Sequence, residues 1–293
     1  MRRAFRFLLI AVVVSSLGLL SAQAEPREAF HLEGHLPAST LAFVSLDNLD
    51  QAHARWDTTA LGRMFADEEM SAYVDPIVKQ LGDLMHGQMA EIPPSVMELL
   101  EHLHGVKGQV AIGLVDIDPR EEKISAAMSV DFGDSPEKFV AFLEKMRKEI
   151  DPQGRRVTIS TREGRWWLTA DLDEIQLHAT THGTTLIAST DESLLSSMLS
   201  GESGGLAAAS GFKTVHERCG GDELAFFAYG NVGSAFVKFA DMMPPEVQGI
   251  GSALGLDTIQ AVAYGMAFHA DGFRDTLMVH APNADHGIIP VLK

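Results

Sequence analysis

Leu224-Ala225-Phe226-Phe227-Ala228-Tyr229-Gly230-Asn231-Val232 echoes Leu41-Ala42-Phe43-Val44-Ser45-Leu46-Asp47-Asn48-Leu49 at a constant offset of 183, with four of nine residues identical. Each run is short, apolar and bounded by turn-forming residues, so each reads as a buried strand. The same offset sets Phe239 against Trp56 in the helical stretch that follows. Further on, Val262-Ala263-Tyr264-Gly265-Met266 echoes Val110-Ala111-Ile112-Gly113-Leu114, each the opening strand of a hairpin. A unit of strand, helices and hairpin therefore recurs, near 40–132 and 223–281, with a shorter helical insert the second time. Each unit has a sheet face that needs cover, and two units can meet face to face or edge to edge. The expectation is an α+β fold of mostly antiparallel sheets with two related units, not a doubly wound parallel sheet.

Between the echoes the periodicity changes twice. Residues 48–104 repeat apolar positions at three and four spacing: Leu61, Met64 and Phe65, then Val74, Ile77, Val78, Leu81, Leu84 and Met85. This is helical spacing, cut by Pro76 and by Pro93-Pro94. Gln109–Ile117 and Ile124–Phe132 form the first hairpin, and Ser135-Pro136 opens a helix with Phe139, Val140, Phe142, Leu143 and Met146 on one face. A meander follows, with strands near 157–160, 166–171, 175–179 and 184–189. Its period of two sets Trp166, Leu168 and Ala170 on a packed face and Trp167 on the outer one. Thr190 opens a short helix, Gly201–Gly205 is a loop, and Gly220-Gly221 stops a helix that ends at Cys219.

The N-terminus gives an address. Arg2, Arg3 and Arg6 precede an apolar run, Phe7–Leu20, and Ser21-Ala22-Gln23-Ala24 offers small residues for a signal peptidase. About 14 apolar residues fall short of a membrane span. The expected layout is a signal peptide at 1–24, a first α+β unit with helix and meander at 25–200, a linker and helix at 201–221, and a second unit at 222–293. The expected location is periplasmic or extracellular, with no transmembrane segment once the signal is removed; a signal-anchored surface protein is the alternative. The chain carries a net charge of −17. Removing residues 1–24, which hold three Arg and no acid, leaves 20 basic against 40 acidic residues. Such a balance excludes nucleic acid and broad contact with anionic lipid as partners. Cys219, the only cysteine, has no disulfide partner within the chain and reads as a small buried hydrophobe.

Leu36-Pro37-Ala38-Ser39-Thr40-Leu41-Ala42-Phe43-Val44, with Trp56, Thr58, Leu61-Gly62, Asp67 and Met70, resembles a family of exported bacterial proteins known only as a domain of unknown function. So does Gly201–Gly221, ending in Gly220-Gly221-Asp222 before a strand. The resemblance covers nearly all of the mature chain. It implies export and the two-unit layout, and no catalytic residue.

Candidate sites are few. Gly201-Glu202-Ser203-Gly204-Gly205 fits G-x-S-x-G, and Asp257 and His269 follow in the order of a serine hydrolase. A nucleophile elbow needs a strand before the serine, and residues 191–200 read as a helix. Twelve histidines invite a metal reading, but Glu98/His102 and His178/His182 offer only pairs, and His102 and His104 diverge on a helix. Asp116, Asp118, Glu121 and Glu122 crowd a hairpin turn without the EF-hand order. Gly249–Gly255 precedes a strand, whereas a dinucleotide loop follows one. No metal or other cofactor is therefore expected. The strongest local feature is basic: Lys145, Arg147, Lys148, Arg155, Arg156, Arg162 and Arg165, with Trp167 expected on the exposed face beside them. Arg and an exposed aromatic compose a recognition surface. The reading is a non-enzymatic protein that binds another protein or an envelope component through Arg155, Arg156, Arg162, Arg165 and Trp167. A hydrolase using Ser203 is the alternative.

Overall fold

The computed structural model describes residues 30–67, 69–70, 72–73, 76, 106–121, 123–133, 137–151, 156–162, 164–171, 175–201, 205–242, 244–287 and 290. The expected signal at 1–24, the helical spacing of 74–104 past Pro76 with its Glu98/His102 pair, Ser135-Pro136, Glu122, Arg155 and Ser203 lie outside them.

Ten strands form one antiparallel sheet, among the described residues, with helices on both sides. The strands are β1 (Ala42–Leu46), β2 (Val110–Asp118), β3 (Lys123–Asp131), β4 (Val157–Arg162), β5 (Arg165–Asp171), β6 (Gln176–His182), β7 (Thr185–Ser189), β8 (Leu224–Gly230), β9 (Ala261–His269) and β10 (Gly272–His280). Their order is β10-β9-β8-β1-β2-β3-β7-β6-β5-β4. The fold is α+β with an antiparallel sheet, as expected from the sequence.

The helices are α1 (Leu32–His35), α2 (Leu49–Thr58), α3 (Ala60–Ala66), α4 (Glu137–Ile150), α5 (Glu192–Ser200), α6 (Ser210–Cys219), α7 (Val232–Phe239) and α8 (Pro245–Ala253). Their ends follow local chemistry. Asn48 and Asn231, the matched asparagines, each accept a hydrogen bond from a backbone N–H of the following helix, Gln51 N and Ser234 N. Asp191, rather than the expected Thr190, caps α5 by accepting from Ser193 and Leu194 N–H. Gly201 ends that helix at φ 71°, a left-handed conformation that a side chain would oppose.

The two echoing strands lie side by side, third and fourth in the sheet. Phe43 pairs with Tyr229 and Val44 with Ala228. From β3 the chain passes through α4 to the far edge, and the meander β4-β5-β6-β7 works inward until β7 pairs with β3. The chain then runs through α5 and α6 before β8 takes its place beside β1.

Alternation sorts the side chains into two cores. On one face Phe43, Phe227, Tyr229, Ile187 and Trp167 pack with Leu32 of α1 and Leu36 just after it, Leu195 and Met198 of α5, and Phe212 and Val215 of α6. On the other, Val110, Val130, Phe132 and Leu186 pack against Phe139 of α4, and Leu168, Ala170, Ala179 and Ala188 against Leu143. The meander is therefore covered on both sides. Trp167, expected on an exposed face, is only 7 % exposed. Alternation assigns a residue to a face but says nothing of which helix crosses it, and α5 supplies the cover here.

Candidate binding surface

The α4–β4 junction begins with a buried carboxylate. Asp151 follows the last turn of α4, and its N–H donates to the Arg147 carbonyl at 2.8 Å. Its Oδ2 accepts from the N–H groups of Arg156, at 2.6 Å, and Val157, at 2.8 Å. The start of the outermost strand is thus tied to the end of a helix. Arg147 and Lys148 stand in that last helical turn, where the carbonyl end of the helix dipole favours cations.

The result is a cleft of about 320 Å³ between α4 and β4, lined by Glu144, Arg147 and Lys148 on one wall and Val157, Thr158 and Ile159 on the other. Val157 and Ile159 pack with Leu143 and Leu168, so the strand wall is rigid and partly apolar. Arg147 and Lys148 make no ion pair with a described residue. Among the described lining residues Glu144 is the one acid against two cations, a local positive balance in a chain of net charge −17.

The basic residues that cluster in sequence separate in space. Arg156, exposed, precedes β4 beside the cleft. Arg162 and Arg165 are cross-strand partners at the hairpin end, on the opposite face from α4. There the Arg162 guanidinium lies 4.8 Å from the centre of the Trp167 ring and is ion-paired with Glu192 of α5. Trp167 serves as a core residue capped by an arginine, so the expected exposed surface of Arg156, Arg162, Arg165 and Trp167 lacks its aromatic. The physical reason is tertiary: α5 covers the face that Arg162, Arg165 and Trp167 share, and Glu192 engages the arginine above the buried indole.

The other candidates resolve in similar terms. His178 is buried, with Nδ1 3.4 Å from the Thr169 hydroxyl and 3.9 Å from Glu192. His182 lies near Phe30, and desolvation, then Arg165 and His35, hold its imidazole below the usual range. No group of three metal-ligating side chains occurs among the described residues. Asp118 accepts the N–H groups of Glu121 and Arg120, which lower its carboxyl below the ordinary range, while Asp116 pairs with Lys238 at 2.5 Å. That acidic turn is an ordinary capped loop. Asp257 accepts from the Ser252 hydroxyl at 2.8 Å and meets His286 Nε2 at 3.1 Å. The segment before Ser203 is helix α5, not the strand an elbow requires.

A second cleft, about 640 Å³, lies between α7 and the ends of β1 and β2. Its two charged groups, Asp116 and Lys238, neutralise each other. No helix among the described residues is long and apolar enough to cross a membrane. No protein-family model matches the chain, and no curated protein or solved structure is significantly similar to it.

The α4–β4 cleft itself was only half visible in sequence. Arg147 and Lys148 belonged to the basic run, but nothing local reported that β4 would be the last strand. The Asp151 tie could have been suspected from an acid placed between a helical run and the turn-forming residue types Pro152, Gln153 and Gly154.

Proposed function

We propose that this is an exported, non-enzymatic binding protein whose α4–β4 cleft receives an acidic ligand carried by another protein or an envelope component. The observation that carries the reading is the pair Arg147 and Lys148, two cations with no ion-pair partner among the described residues, set over a partly apolar cleft in a strongly acidic chain. In such a chain most of the surface repels an anionic partner, and a local positive site both selects and orients it. The three-part signal pattern of residues 1–24 supports export.

The sheet also supports the two-unit reading. The order of its first six strands, β10-β9-β8-β1-β2-β3, is a palindrome about the β8–β1 pair, as expected of two copies joined edge to edge. Equating β2 with β9 residue by residue pairs Gly113 with Gly265. Their cross-strand partners are Phe43 and Phe227, an offset of 184 rather than 183. The irregularity in β8 between Leu224 and Phe226 accounts for the extra residue.

The test is binding of a short alternating Glu/Val peptide to the mature chain, read by fluorescence anisotropy at several salt concentrations. Binding that weakens with salt and is lost in Arg147→Glu/Lys148→Glu is expected. Equal binding of a Lys/Val peptide, or indifference to the charge reversal, overturns the reading.

A further inference from the structure

β4 is the terminal strand of the ten-stranded sheet. An edge strand exposes a row of backbone N–H and C=O groups that another extended chain can pair with, and natural proteins blunt such edges. Here the blunting stops after one residue. The Arg156 carbonyl accepts the Asp171 N–H at 2.7 Å, so Arg156 faces its neighbour β5. The Val157 N–H, one residue on, turns outward and is taken by Asp151. Antiparallel alternation then faces Thr158 and Ser160 toward β5, and turns the N–H and C=O of Ile159 and Thr161 outward. No described group pairs with those two residues on the outer side.

The open stretch runs beside the α4 wall that carries Arg147 and Lys148. Its side chains are exposed at Thr158 and Thr161, and it holds no proline. At the opposite edge, β10 carries Asp275, exposed Phe273 and Leu277, and Arg274 paired with Glu223. Among the described residues, Lys and Arg at that edge are limited to this paired Arg274, so charge favours β4 for an acidic chain.

We infer that the ligand of the α4–β4 cleft is an extended acidic polypeptide that adds to β4 as a further antiparallel or parallel strand, its backbone bonded to Ile159 and Thr161 and its carboxylates directed to Arg147 and Lys148. This rests on the binding reading above and gives it a partner chemistry. Main-chain bonds supply affinity in such strand addition, and the flanking side chains supply selectivity.

Three arms test it on the mature chain. The alternating Glu/Val peptide is compared with the same peptide N-methylated at alternate backbone nitrogens, in both registers, which keeps every charge and removes outward donors. Thr161→Pro removes an outward N–H from an exposed edge position that tolerates proline. Amide hydrogen exchange is followed across β4 and β10. Loss of about tenfold in affinity is expected from N-methylation in one register and from Thr161→Pro, with circular dichroism unchanged and exchange slowed at Ile159 and Thr161 alone. If the methylated peptides bind as tightly as the parent while Arg147→Glu/Lys148→Glu still abolishes binding, the cleft takes acidic ligands but strand addition is overturned. Slowed exchange in β10 instead of β4 overturns the site. Absence of binding by any acidic peptide overturns both readings.

Discussion

Phe43 stands directly across from Gly113 in the β1–β2 ladder, an aromatic ring beside a residue with no side chain. Phe227 stands across from Gly265 in the same way. Both rings are almost fully buried, and Phe212 of α6 meets each of them edge-on, at 5.6 and 5.5 Å. The glycines leave room for what lies above them. A Cβ on Gly113 would come 2.3 Å from Leu36 Cδ1, and one on Gly265 would come 2.7 Å from both Cys219 Cβ and Leu224 Cδ2.

These contacts predict unequal costs for the same substitution. Gly113→Ala meets mainly the tip of one leucine, which can turn away. Gly265→Ala meets the base of Cys219 and, at 3.3 Å, its carbonyl oxygen, which cannot. Gly265→Ala should destabilise by about 1–3 kcal/mol and Gly113→Ala by less. Urea unfolding of the two variants checks the order; the reverse order would mean that α6 yields more readily than α1.

Trp167 gives the largest expected effect in the meander. Truncating a buried tryptophan to alanine costs about 3–5 kcal/mol. Arg162→Ala removes a half-exposed ion pair and a cation–π contact, together about 1 kcal/mol. If Trp167→Ala proves as mild as Arg162→Ala in thermal denaturation, the indole is not the core residue described above.

Tyr229 ties stability to alkaline pH. Burial pushes its phenol up to about 12 from an ordinary value of 10.0. The unfolded chain therefore loses that proton first. The stabilisation is complete below pH ~10 and falls away as pH rises toward ~12, by about 2–3 kcal/mol in all. Tyr229→Phe should flatten the fall in melting temperature across that range, and an unchanged slope would count against it.

Cys219 should be inert in the folded protein. It is 1 % exposed, and desolvation raises its thiol above the ordinary range. Maleimide labelling should be negligible under native conditions and complete in denaturant. Rapid native labelling would show that α6 lifts from β9.

Much of this architecture was legible because the relevant signals are local. Alternation marked the strands of the meander, and Gly220 and Asn48 act at helix ends through their own backbone and side-chain chemistry. The echo of Leu41–Leu49 in 224–232 located two strands that pair with each other in the sheet. The candidate surface was less legible. Arg156, Arg162 and Arg165 are close in the chain to Arg147 and Lys148, yet Arg162 faces α5 while the α4 cations face the cleft, because the two helices cover opposite faces of the sheet.

The chain itself thus determined which segments are strands or helices and which residues share a face, since these depend on spacing and on backbone preferences within a few residues. Tertiary structure alone decided that the meander folds inward from a far edge, that α5 closes over Trp167, and that β4 has one side without a strand partner among the described residues. Those outcomes depend on which elements meet across long stretches of chain, and no periodicity encodes that choice.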